Sequence, residues 1–378
     1  MHKILIIGGS NGLGLSMALM LLKEGHQVTV VDRIPPDSTV DGSDNISFIQ
    51  VNLLENDFSF LEECKGIDTL IYTAGFGRVA HFETMHPVEM NNLFKVNTMA
   101  FFQVIRYYYS RMLKEDFFCC VMGSIAGLVS SPLMSLYGAT KAAICNGVES
   151  LNIELEKAGS ANRILVVAPG SIKGTRFNGG ENDVHATEQL SGDILKRMFN
   201  RETLYIPKYE EIFRSVIEQY QADSHAYGMH SYDYKCKSGR FNEKPQMKIG
   251  YLSGTFDLFH VGHLNLIRRA KRCCDYLVVG VHRDASHKGK ETFIPLEERM
   301  DIVRSIKYVD QVILSEREDS DVYFKGIVKY DYLFVGSDYK GTERFNRYEK
   351  LFEGTGVKIV YFPYTEGTSS TQLRKVIS

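Results

Sequence analysis

Residues 3–14 read Lys-Ile-Leu-Ile-Ile-Gly-Gly-Ser-Asn-Gly-Leu-Gly, and a helix-length segment follows them. The apolar run before the first glycine predicts a short buried strand. Glycines at Gly8, Gly12 and Gly14 predict a tight turn whose backbone can approach a phosphate group closely. A helix that begins at such a turn presents N–H groups and a positive dipole end to an anion. The stretch therefore predicts a strand, a glycine turn and a helix that open a nucleotide-binding domain.

Short apolar runs alternate with helix-length segments in two blocks of the chain. The first block has such runs at 3–7, 28–31, 47–51, 69–72, 118–122 and 164–167, and the pattern fades after about residue 180. A second block opens at Lys248 and has further runs at 276–281, 310–314, 331–335 and 357–361. This alternation is typical of parallel sheets. We therefore predict an α/β fold of two Rossmann-like domains with parallel sheets, at 1–240 and 248–378, joined by a linker at 241–247.

Composition and charge argue against several classes of protein. The 378 residues are 44% hydrophobic and 24% charged with a net charge of −2, so nothing points to nucleic acid or an anionic membrane. No apolar run approaches the roughly 20 residues that span a bilayer, and the N-terminus does not resemble a signal peptide. The seven cysteines have neither metal-ligand spacing nor a disulfide framework. We expect a cytoplasmic enzyme of small molecules, with no nucleic-acid or membrane partner and no protein-bound metal.

The end of the second predicted strand carries a candidate cofactor-specificity pair, Asp32 and Arg33. A carboxylate at Asp32 would accept hydrogen bonds from adenosine ribose hydroxyls and repel a 2′-phosphate, which favours NAD. Arg33 could bind that same phosphate, so the pair leaves both NAD and NADP open.

The catalytic motif of the first block is Tyr137-Gly-Ala-Thr-Lys141, with Ser124 thirteen residues upstream of Tyr137. Residues four apart share a helix face, so Lys141 can lie beside Tyr137 and lower the pKa of its phenol. Tyr137 would then donate a proton to a developing alkoxide, and Ser124 would hold the carbonyl oxygen. An exposed helical pair is the alternative interpretation of this spacing, but the glycine turn and Ser124 occur in the order that catalysis requires.

With these motifs, residues 1 to about 210 resemble the short-chain dehydrogenase/reductase family. That resemblance implies a Rossmann fold and a Ser-Tyr-Lys centre, in which Asn97 supports a proton-relay water. It also implies cofactor contacts from Asn52, Ala74, Gly75, Pro169 and Gly170. The chain departs from the family pattern at Thr73, where an asparagine is usual, and at Gly174, where the family threonine falls one residue later, at Thr175.

The second block opens with residues 254–263, which read Gly-Thr-Phe-Asp-Leu-Phe-His-Val-Gly-His. His260 and His263 lie three apart at a predicted helix start, so both face an anion that docks at the helix dipole. Zinc binding is the rival interpretation, but no third ligand occurs nearby at metal spacing. A satisfied structural role is the simplest alternative for either histidine taken alone.

Residues 248–378 closely resemble glycerol-3-phosphate cytidylyltransferases and their choline- and ethanolamine-phosphate relatives. The resemblance implies that His260 and His263 stabilise the α-phosphate of CTP during in-line attack, that Lys288 and Lys290 neutralise charge, and that Asp257 helps to hold Mg²⁺ or orient His260. It implies further nucleotide contacts from Gly254, Thr255, Phe256, Arg299, Asp338, Thr368, Ser369, Ser370 and Thr371. Tyr364 stands where the family has an arginine.

Together the two blocks predict a bifunctional enzyme that makes a CDP-activated polyol. It would reduce a keto-sugar phosphate, or its CDP derivative, with NAD(P)H and transfer a cytidylyl group from CTP with Mg²⁺. The product would serve capsule or teichoic-acid polymers, and the enzyme would form a homo-oligomer, a dimer or tetramer. The alternatives are that one half is only a dimerisation or regulatory module, or that the chain is a nucleotide-sensing protein without turnover. Intact Ser124, Tyr137 and Lys141, with His260 and His263, argue against both.

Overall fold

The structure is a computed structural model that describes residues 1–175, 177, 182–241, 247–285, 291–315 and 318–363. The chain divides into two compact units, Met1–Gln246 and Met247–Ser378. Each unit combines helices with an all-parallel sheet, so the predicted α/β fold class is confirmed. Within the described ranges, no helix is both long and apolar enough to cross a bilayer.

Seven parallel strands form the sheet of the first unit. They are β1 (Lys3–Ile7), β2 (Gln27–Asp32), β3 (Ser47–Gln50), β4 (Thr69–Tyr72), β5 (Phe118–Met122), β6 (Ile164–Val167) and β7 (Leu204–Tyr205). Their spatial order is β3-β2-β1-β4-β5-β6-β7. The order reverses between β1 and β4, and ligands of open parallel sheets bind outside the carboxyl ends of the strands at such a reversal.

Eight helices accompany this sheet in the described part of the first unit. They are α1 (Gly12–Lys23), α2 (Phe60–Glu63), α3 (Pro87–Phe94), α4 (Ala100–Met112), α5 (Ser135–Lys157), α6 (Glu188–Phe199), α7 (Arg214–Ala222) and α8 (Ser224–Lys237). Buried residues of α5 recur every three or four positions, and Tyr137 and Lys141 belong to that buried face. Packing of α5 against the core therefore fixes both side chains.

The polar segment after residue 222 is helical. It shows little hydrophobic periodicity, yet it forms α8, because the Asp223 side chain accepts the Ala226 N–H and caps the helix. No residue of α8 is buried, which explains the missing apolar pattern. Phe241 pairs with Val79 of the first unit, and Met247, the first residue of the second unit, is buried.

The second unit has five parallel strands in the order β10-β9-β8-β11-β12. In sequence these are β8 (Ile249–Gly254), β9 (Tyr276–His282), β10 (Gln311–Ser315), β11 (Tyr332–Gly336) and β12 (Lys358–Phe362). The described helices are α9 (Val261–Arg272), α10 (Leu296–Arg304), α11 (Asp319–Phe324) and α12 (Glu343–Phe352). The strand order reverses between β8 and β11, and the carboxyl end of β8 leads directly to His260 and His263.

Candidate active sites

The glycine turn after β1 packs tightly against the residues that follow β4. Gly8 has a φ of +93°, and a Cβ there would lie 2.4 Å from the Ala74 nitrogen. A Cβ at Gly14 would lie 2.4 Å from the Gly8 carbonyl oxygen. Only glycine fits at these two positions. The turn thus connects β1 directly to the N-terminus of α1, which is the backbone arrangement that a pyrophosphate site requires.

Asp32 at the end of β2 is fixed against this turn. Its carboxylate accepts the N–H of Ser10 at 3.2 Å and the N–H of Arg33 at 2.7 Å. Burial raises the pKa of Asp32, and these two hydrogen bonds act in the opposite direction. The carboxylate lies on the β2 side of the glycine turn, where a dinucleotide would carry its adenosine ribose. Asn52 follows β3, and its side chain accepts the Leu54 N–H to cap a 3₁₀ turn.

Tyr137, Lys141 and Asn97 converge beside Gly75. The Lys141 Nζ lies 5.7 Å from the centre of the Tyr137 ring and donates to the Met122 carbonyl at 2.7 Å. A Cβ at Gly75 would lie 3.4 Å from Lys141 Nζ and 3.3 Å from Asn97 Oδ1. The structure thus brings together three of the residues that the sequence assigned to reduction.

Asn97 is held in a π-helical turn, Lys95–Met99, between α3 and α4. Its side-chain Nδ2 donates to the Phe76 carbonyl at 2.9 Å, and its Oδ1 accepts the Phe76 N–H at 3.0 Å. A third bond joins Nδ2 to the Thr140 hydroxyl at 3.2 Å. Such π-helical turns often occur at functional sites, and this one turns Asn97 towards α5.

Ser124 follows β5 and is tied to the turn after β6. Its hydroxyl accepts the Ala126 N–H at 3.2 Å and contacts the Pro169 carbonyl at 3.4 Å. The same carbonyl accepts the Ile125 N–H at 3.0 Å. Gly170 packs closely under the Phe213 ring. The β5 and β6 turns therefore form one connected wall of the candidate reductase site.

The expected lowering of the Tyr137 pKa by Lys141 is wrong for this structure. Burial raises the pKa of Tyr137 to about 12, while the hydrogen bond to Ser124 only partly opposes that rise. Burial also lowers the pKa of Lys141 to about 8. A buried phenol that keeps its proton suits donation to an alkoxide, which is the direction of ketone reduction.

Two contacts at the glycine turn involve residues that sequence reasoning did not assign to it. The Gly12 N–H donates to Asn182 Oδ1 at 2.7 Å, and Asn182 Nδ2 donates to Asp37 at 2.9 Å. A Cβ at Gly12 would lie 3.2 Å from Thr175 Cγ2, so Thr175 reaches the turn although it stands one residue late. Gly12 and Asn182 lie 170 residues apart in sequence, and no local pattern indicates their contact.

In the second unit, the loop after β8 has an unusual backbone. Phe256 and Leu258 both have left-handed backbone angles, with φ of 52° and 49°. Such angles cost free energy in residues other than glycine and concentrate at functional sites. Between them, the Asp257 carboxylate accepts the N–H groups of Phe293 and Ile294 at 3.0 to 3.2 Å. Asp257 therefore anchors the segment before α10, and its expected role in holding Mg²⁺ or orienting His260 stays a prediction.

His260 and His263 form a reciprocal cap at the start of α9. The His260 Nδ1 accepts the Gly262 N–H at 3.0 Å, and the His263 Nδ1 accepts the His260 N–H at 3.4 Å. Their rings stack with centres 4.0 Å apart. Because each Nδ1 is an acceptor, this network assigns the proton of each neutral ring to Nε2, which becomes a donor. Burial lowers the pKa of His260, which favours the neutral form of its ring.

Arg299 is buried and holds three loops together through backbone carbonyls. Its guanidinium donates to Ile294 at 2.9 Å, Thr255 at 2.6 Å, His282 at 2.8 Å and Arg283 at 2.7 Å. Four of its five N–H donors are thereby used. Arg299 therefore positions these three loops, and the nucleotide contact that the resemblance implies for it stays a prediction.

The other predicted transferase residues differ in how far the structure describes them. The Thr255 hydroxyl is buried with no hydrogen-bond partner among the described residues, at the point where the resemblance implies a nucleotide contact. Asp338 is exposed in a 3₁₀ turn, Ser337–Tyr339, after β11. Lys288, Lys290, Tyr364, Thr368, Ser369, Ser370 and Thr371 lie outside the described residues.

No three His, Cys, Asp or Glu side chains gather into a metal site in the described ranges. The two oxygens of Asp257 are engaged by backbone N–H groups. The residues present thus fit a Mg²⁺ ion that arrives on the triphosphate better than one held in a protein cage.

Comparison with known proteins matches each unit to a different family. Residues 2–185 match the short chain dehydrogenase family, and residues 251–376 match the cytidylyltransferase-like family. The glycerol-3-phosphate cytidylyltransferase of Bacillus subtilis is 35% identical over 137 residues, which cover 35% of this chain and 98% of that protein.

Two solved structures have the fold of the first unit. A short chain dehydrogenase/reductase from Burkholderia phymatum in complex with NAD aligns with a TM-score of 0.51 and 17% identity, over 60% of this chain and 95% of that one. A short chain dehydrogenase from Burkholderia cenocepacia in complex with NADP aligns with a TM-score of 0.51 and 18% identity, over 61% and 97%. With both sites and these similarities in view, the chain is an enzyme that belongs to the short chain dehydrogenase family through its first unit and to the cytidylyltransferase-like family through its second.

Proposed function

We propose that this enzyme makes a CDP-activated polyol by combining reduction of a ketose with transfer of a cytidylyl group. Support comes from the joining of the two activities in one chain and from the similarity of the second unit to glycerol-3-phosphate cytidylyltransferase. The product would be a CDP-polyol of the ribitol, arabinitol, mannitol or glycerol type. Its use would be in capsule or teichoic-acid polymers.

In the reductase unit, a bound NADH or NADPH would supply the hydride. Tyr137 donates the proton to the carbonyl oxygen, since burial keeps its phenol protonated at neutral pH. Ser124 holds that oxygen through its hydroxyl. Lys141 and Asn97, which flank Gly75, orient the Tyr137 phenol and the proton relay that returns a proton to it.

In the transferase unit, His260 and His263 direct their Nε2–H groups at the α-phosphate of CTP. The phosphate oxygen of the substrate forms a new bond to that phosphorus, the bond to the β-phosphate oxygen breaks, and pyrophosphate leaves. Negative charge that develops on the α-phosphate needs donors already in place, and the reciprocal cap provides them. Mg²⁺ would enter with the triphosphate and neutralise part of its charge.

For the cofactor, we propose that NADH is preferred. Asp32 faces the adenosine ribose site, and a carboxylate there repels a 2′-phosphate. The kcat/KM values for NADH and NADPH measure the preference directly. A higher value for NADPH would show that the Arg33 charge outweighs that of Asp32.

The observation that carries the proposal is the cap in which Nδ1 of His260 and Nδ1 of His263 each accept a backbone N–H at a helix N-terminus, so that Nε2 is the donor nitrogen of each neutral ring. The test is incubation of the full chain with CTP, Mg²⁺, NAD(P)H and a panel of ketose phosphates, with products identified by mass. A CDP-polyol that forms only when both CTP and reduced cofactor are present would support the proposal. Absence of any reduction across the whole panel, or reduction whose product never receives a cytidylyl group when CTP and Mg²⁺ are present, would contradict the combined activity.

A further inference from the structure

The segment that follows the last strand of the first unit docks against the reductase loops. Lys235 of α8 bonds the loop between β5 and α5, and Tyr232 contacts His81 Nε2 at 3.4 Å. Phe241 pairs with Val79, and its ring packs at a tilt against the His81 ring, with centres 4.8 Å apart. Residues 224–241 therefore contribute to the surroundings of the reductase site, although they lie beyond the stretch that matches the dehydrogenase family.

This segment brings two cations together, and in the described part of the chain both donate to neutral acceptors. The Lys235 ammonium donates only to neutral acceptors: the Ser131 hydroxyl at 2.8 Å, the Pro132 carbonyl at 2.9 Å and the Ser231 hydroxyl at 3.2 Å. The Arg240 guanidinium donates to the Ser171 hydroxyl at 2.5 Å and the Ser238 hydroxyl at 3.2 Å. Among the described residues, neither cation has an acidic partner.

Some buried cations of this chain are paired with an acid, whereas Lys141 and Arg299 donate to backbone carbonyls. Arg78 bonds Glu89 at 2.7 Å, and Lys271 bonds Asp310 at 2.5 Å. In contrast, Lys235 has Arg240 as its charged neighbour, and burial together with that like charge lowers the pKa of Lys235 to about 8. Two neighbouring positive charges that are partly withdrawn from water cost free energy, and a bound anion offsets that cost.

The position of these cations indicates which anion they bind. Ser131 lies against Gly138, next to Tyr137, because a Cβ at Gly138 would be 3.7 Å from Ser131 Cβ. Ser171 stands two residues after Pro169, whose carbonyl contacts the Ser124 hydroxyl. Lys235 and Arg240 thus bind the loops on either side of Ser124. In the sheet, β5 and β6 lie on the opposite side of β1 from β2, so these loops are remote from Asp32 and the cofactor's adenosine end.

We propose that Lys235 and Arg240 form a phosphate subsite of the reductase, which makes a phosphorylated ketose its substrate class. A substrate with its carbonyl at Ser124 and Tyr137 extends between the two loops and presents its phosphate to both cations. The guanidinium and the ammonium supply charge-assisted hydrogen bonds, and the Tyr234 ring, 5.5 Å from the Arg240 guanidinium, supports its plane. The subsite rests on the proposed function and names the group that its reductase half recognises.

The kinetic test compares ketose phosphates with the same ketoses without phosphate, using the full chain and NADH. Arg240→Gln and Lys235→Gln should each raise KM for the phosphorylated ketose on the order of tenfold, because each removes hydrogen bonds to a charged group. The kcat should stay near the original value, as should KM for the unphosphorylated ketose. Lys237→Gln is the matched control, since Lys237 is exposed near the end of the same helix. Arg240→Lys keeps the charge and should retain part of the affinity.

Equal rises in KM for both kinds of ketose would overturn the proposal, because they would mean that α8 only supports the fold. An original enzyme with no preference for the phosphorylated ketose would overturn it as well. Binding of inorganic phosphate, measured by calorimetry, gives a readout that needs no turnover. We expect the Lys235→Gln/Arg240→Gln double variant to weaken that binding relative to Lys237→Gln, and equal binding by the two would overturn the subsite.

The same experiments distinguish the subsite from the proposed function and identify the source of the phosphate. If no ketose is reduced but phosphate binding depends on both cations, the proposed function fails and the subsite stands. If the phosphate is a monoester, ketose phosphate is reduced without CTP. If it is the diphosphate of a CDP-linked ketose, NADH oxidation requires CTP and Mg²⁺ and disappears in His263→Ala.

Discussion

The Tyr137 phenol is buried, and Lys141, one helical turn along α5, holds its ammonium against the Met122 carbonyl. Tyr137→Phe removes the proton donor while leaving the ring and its packing in place. We expect NAD(P)H oxidation to fall to background, while pyrophosphate release from CTP continues at the original rate. Loss of both activities would contradict the assignment of independent catalytic centres to the two units.

Lys141 makes reduction sensitive to alkaline pH. Its pKa is lowered to about 8, so the ammonium loses its proton above that pH in the free enzyme. The phenol of Tyr137, with a pKa raised to about 12, stays protonated over the same range. We therefore expect kcat/KM for ketone reduction to fall about tenfold per pH unit above roughly pH 8. A profile that stays flat to pH 10 would show that the Lys141 charge is not needed.

His263 offers a way to separate catalysis from helix capping. His263→Ala should lower kcat on the order of a hundredfold or more, the scale of losing one preorganised donor. CTP binding should weaken much less. His263→Gln is the matched variant, since glutamine at this position keeps an acceptor for the His260 N–H but lacks the imidazole donor. Both variants should lose turnover, and only His263→Ala should also destabilise the start of α9.

Normal CTP turnover in His263→Ala, which has no side-chain donor, would exclude a catalytic role for the imidazole. The zinc alternative makes a different prediction: stoichiometric zinc in the purified protein, and activity that a chelator abolishes and Mg²⁺ cannot restore. Metal analysis of the purified chain decides between the two.

For single residues, the sequence spacing predicted which side chains lie close together, but it did not predict the direction of the Tyr137 pKa shift. Tyr137 with Lys141, and His260 with His263, are pairs within one helical turn, so their closeness follows from local geometry. The rise of the Tyr137 pKa does not follow from local geometry. It depends on burial by segments distant in sequence, such as the Phe177 ring, whose centre lies 5.1 Å from that of the Tyr137 ring. Two of the three partners of Lys235, Ser131 and Pro132, lie more than a hundred residues away in sequence, and no motif indicates them.

Among the elements, α10 has a structural function that its sequence concealed. Arg299 joins the loops after β8 and β9 to the start of α10 through four carbonyls, which a planar guanidinium reaches and an ammonium does not. Arg299→Lys should therefore destabilise the second unit by about 2 kcal/mol, since buried carbonyls lose their donors. We expect kcat/KM for CTP to fall at least tenfold and ketone reduction to remain unchanged.

Arg304→Lys is the control for this variant, because Arg304 lies in the same helix and bonds only the nearby Asp301 side chain. Thermal unfolding and CTP turnover measure both effects. Unchanged stability and turnover in Arg299→Lys would mean that the loops keep their arrangement without the guanidinium.

Most elements of both sheets could be predicted because each parallel strand is a short apolar run followed by a turn. Helix α8 could not, since its residues stay outside the core and carry no apolar stripe. The edge strand β7 was also missed, because it has only two residues, Leu204 and Tyr205. Elements that bury one face can be predicted from sequence, and elements that dock by polar contacts cannot.

For the whole molecule, two strand-order reversals place the glycine turn and the histidine cap at the carboxyl ends of their sheets. The glycine turns, the apolar alternation and the catalytic motifs indicated two such sheets. The sequence did not indicate that residues after 222 lie beside the reductase site. Their side chains contact loops from the middle of the first unit, and such distant contacts leave no local pattern.

The cap at His260 also has a consequence for the whole chain. A proton and the Gly262 N–H compete for the same lone pair on Nδ1, so acid opens the start of α9 as it charges the ring. Because the fold lowers the His260 pKa, the unfolded chain binds this proton more readily than the folded chain does. The free energy of unfolding of the second unit therefore falls as the pH drops and His260 takes up its proton. Lys141 loses its proton at the alkaline end. A product that needs both steps therefore forms only within a pH window. Its acid limit is set by His260 in the second unit, and its alkaline limit is set by Lys141 in the first.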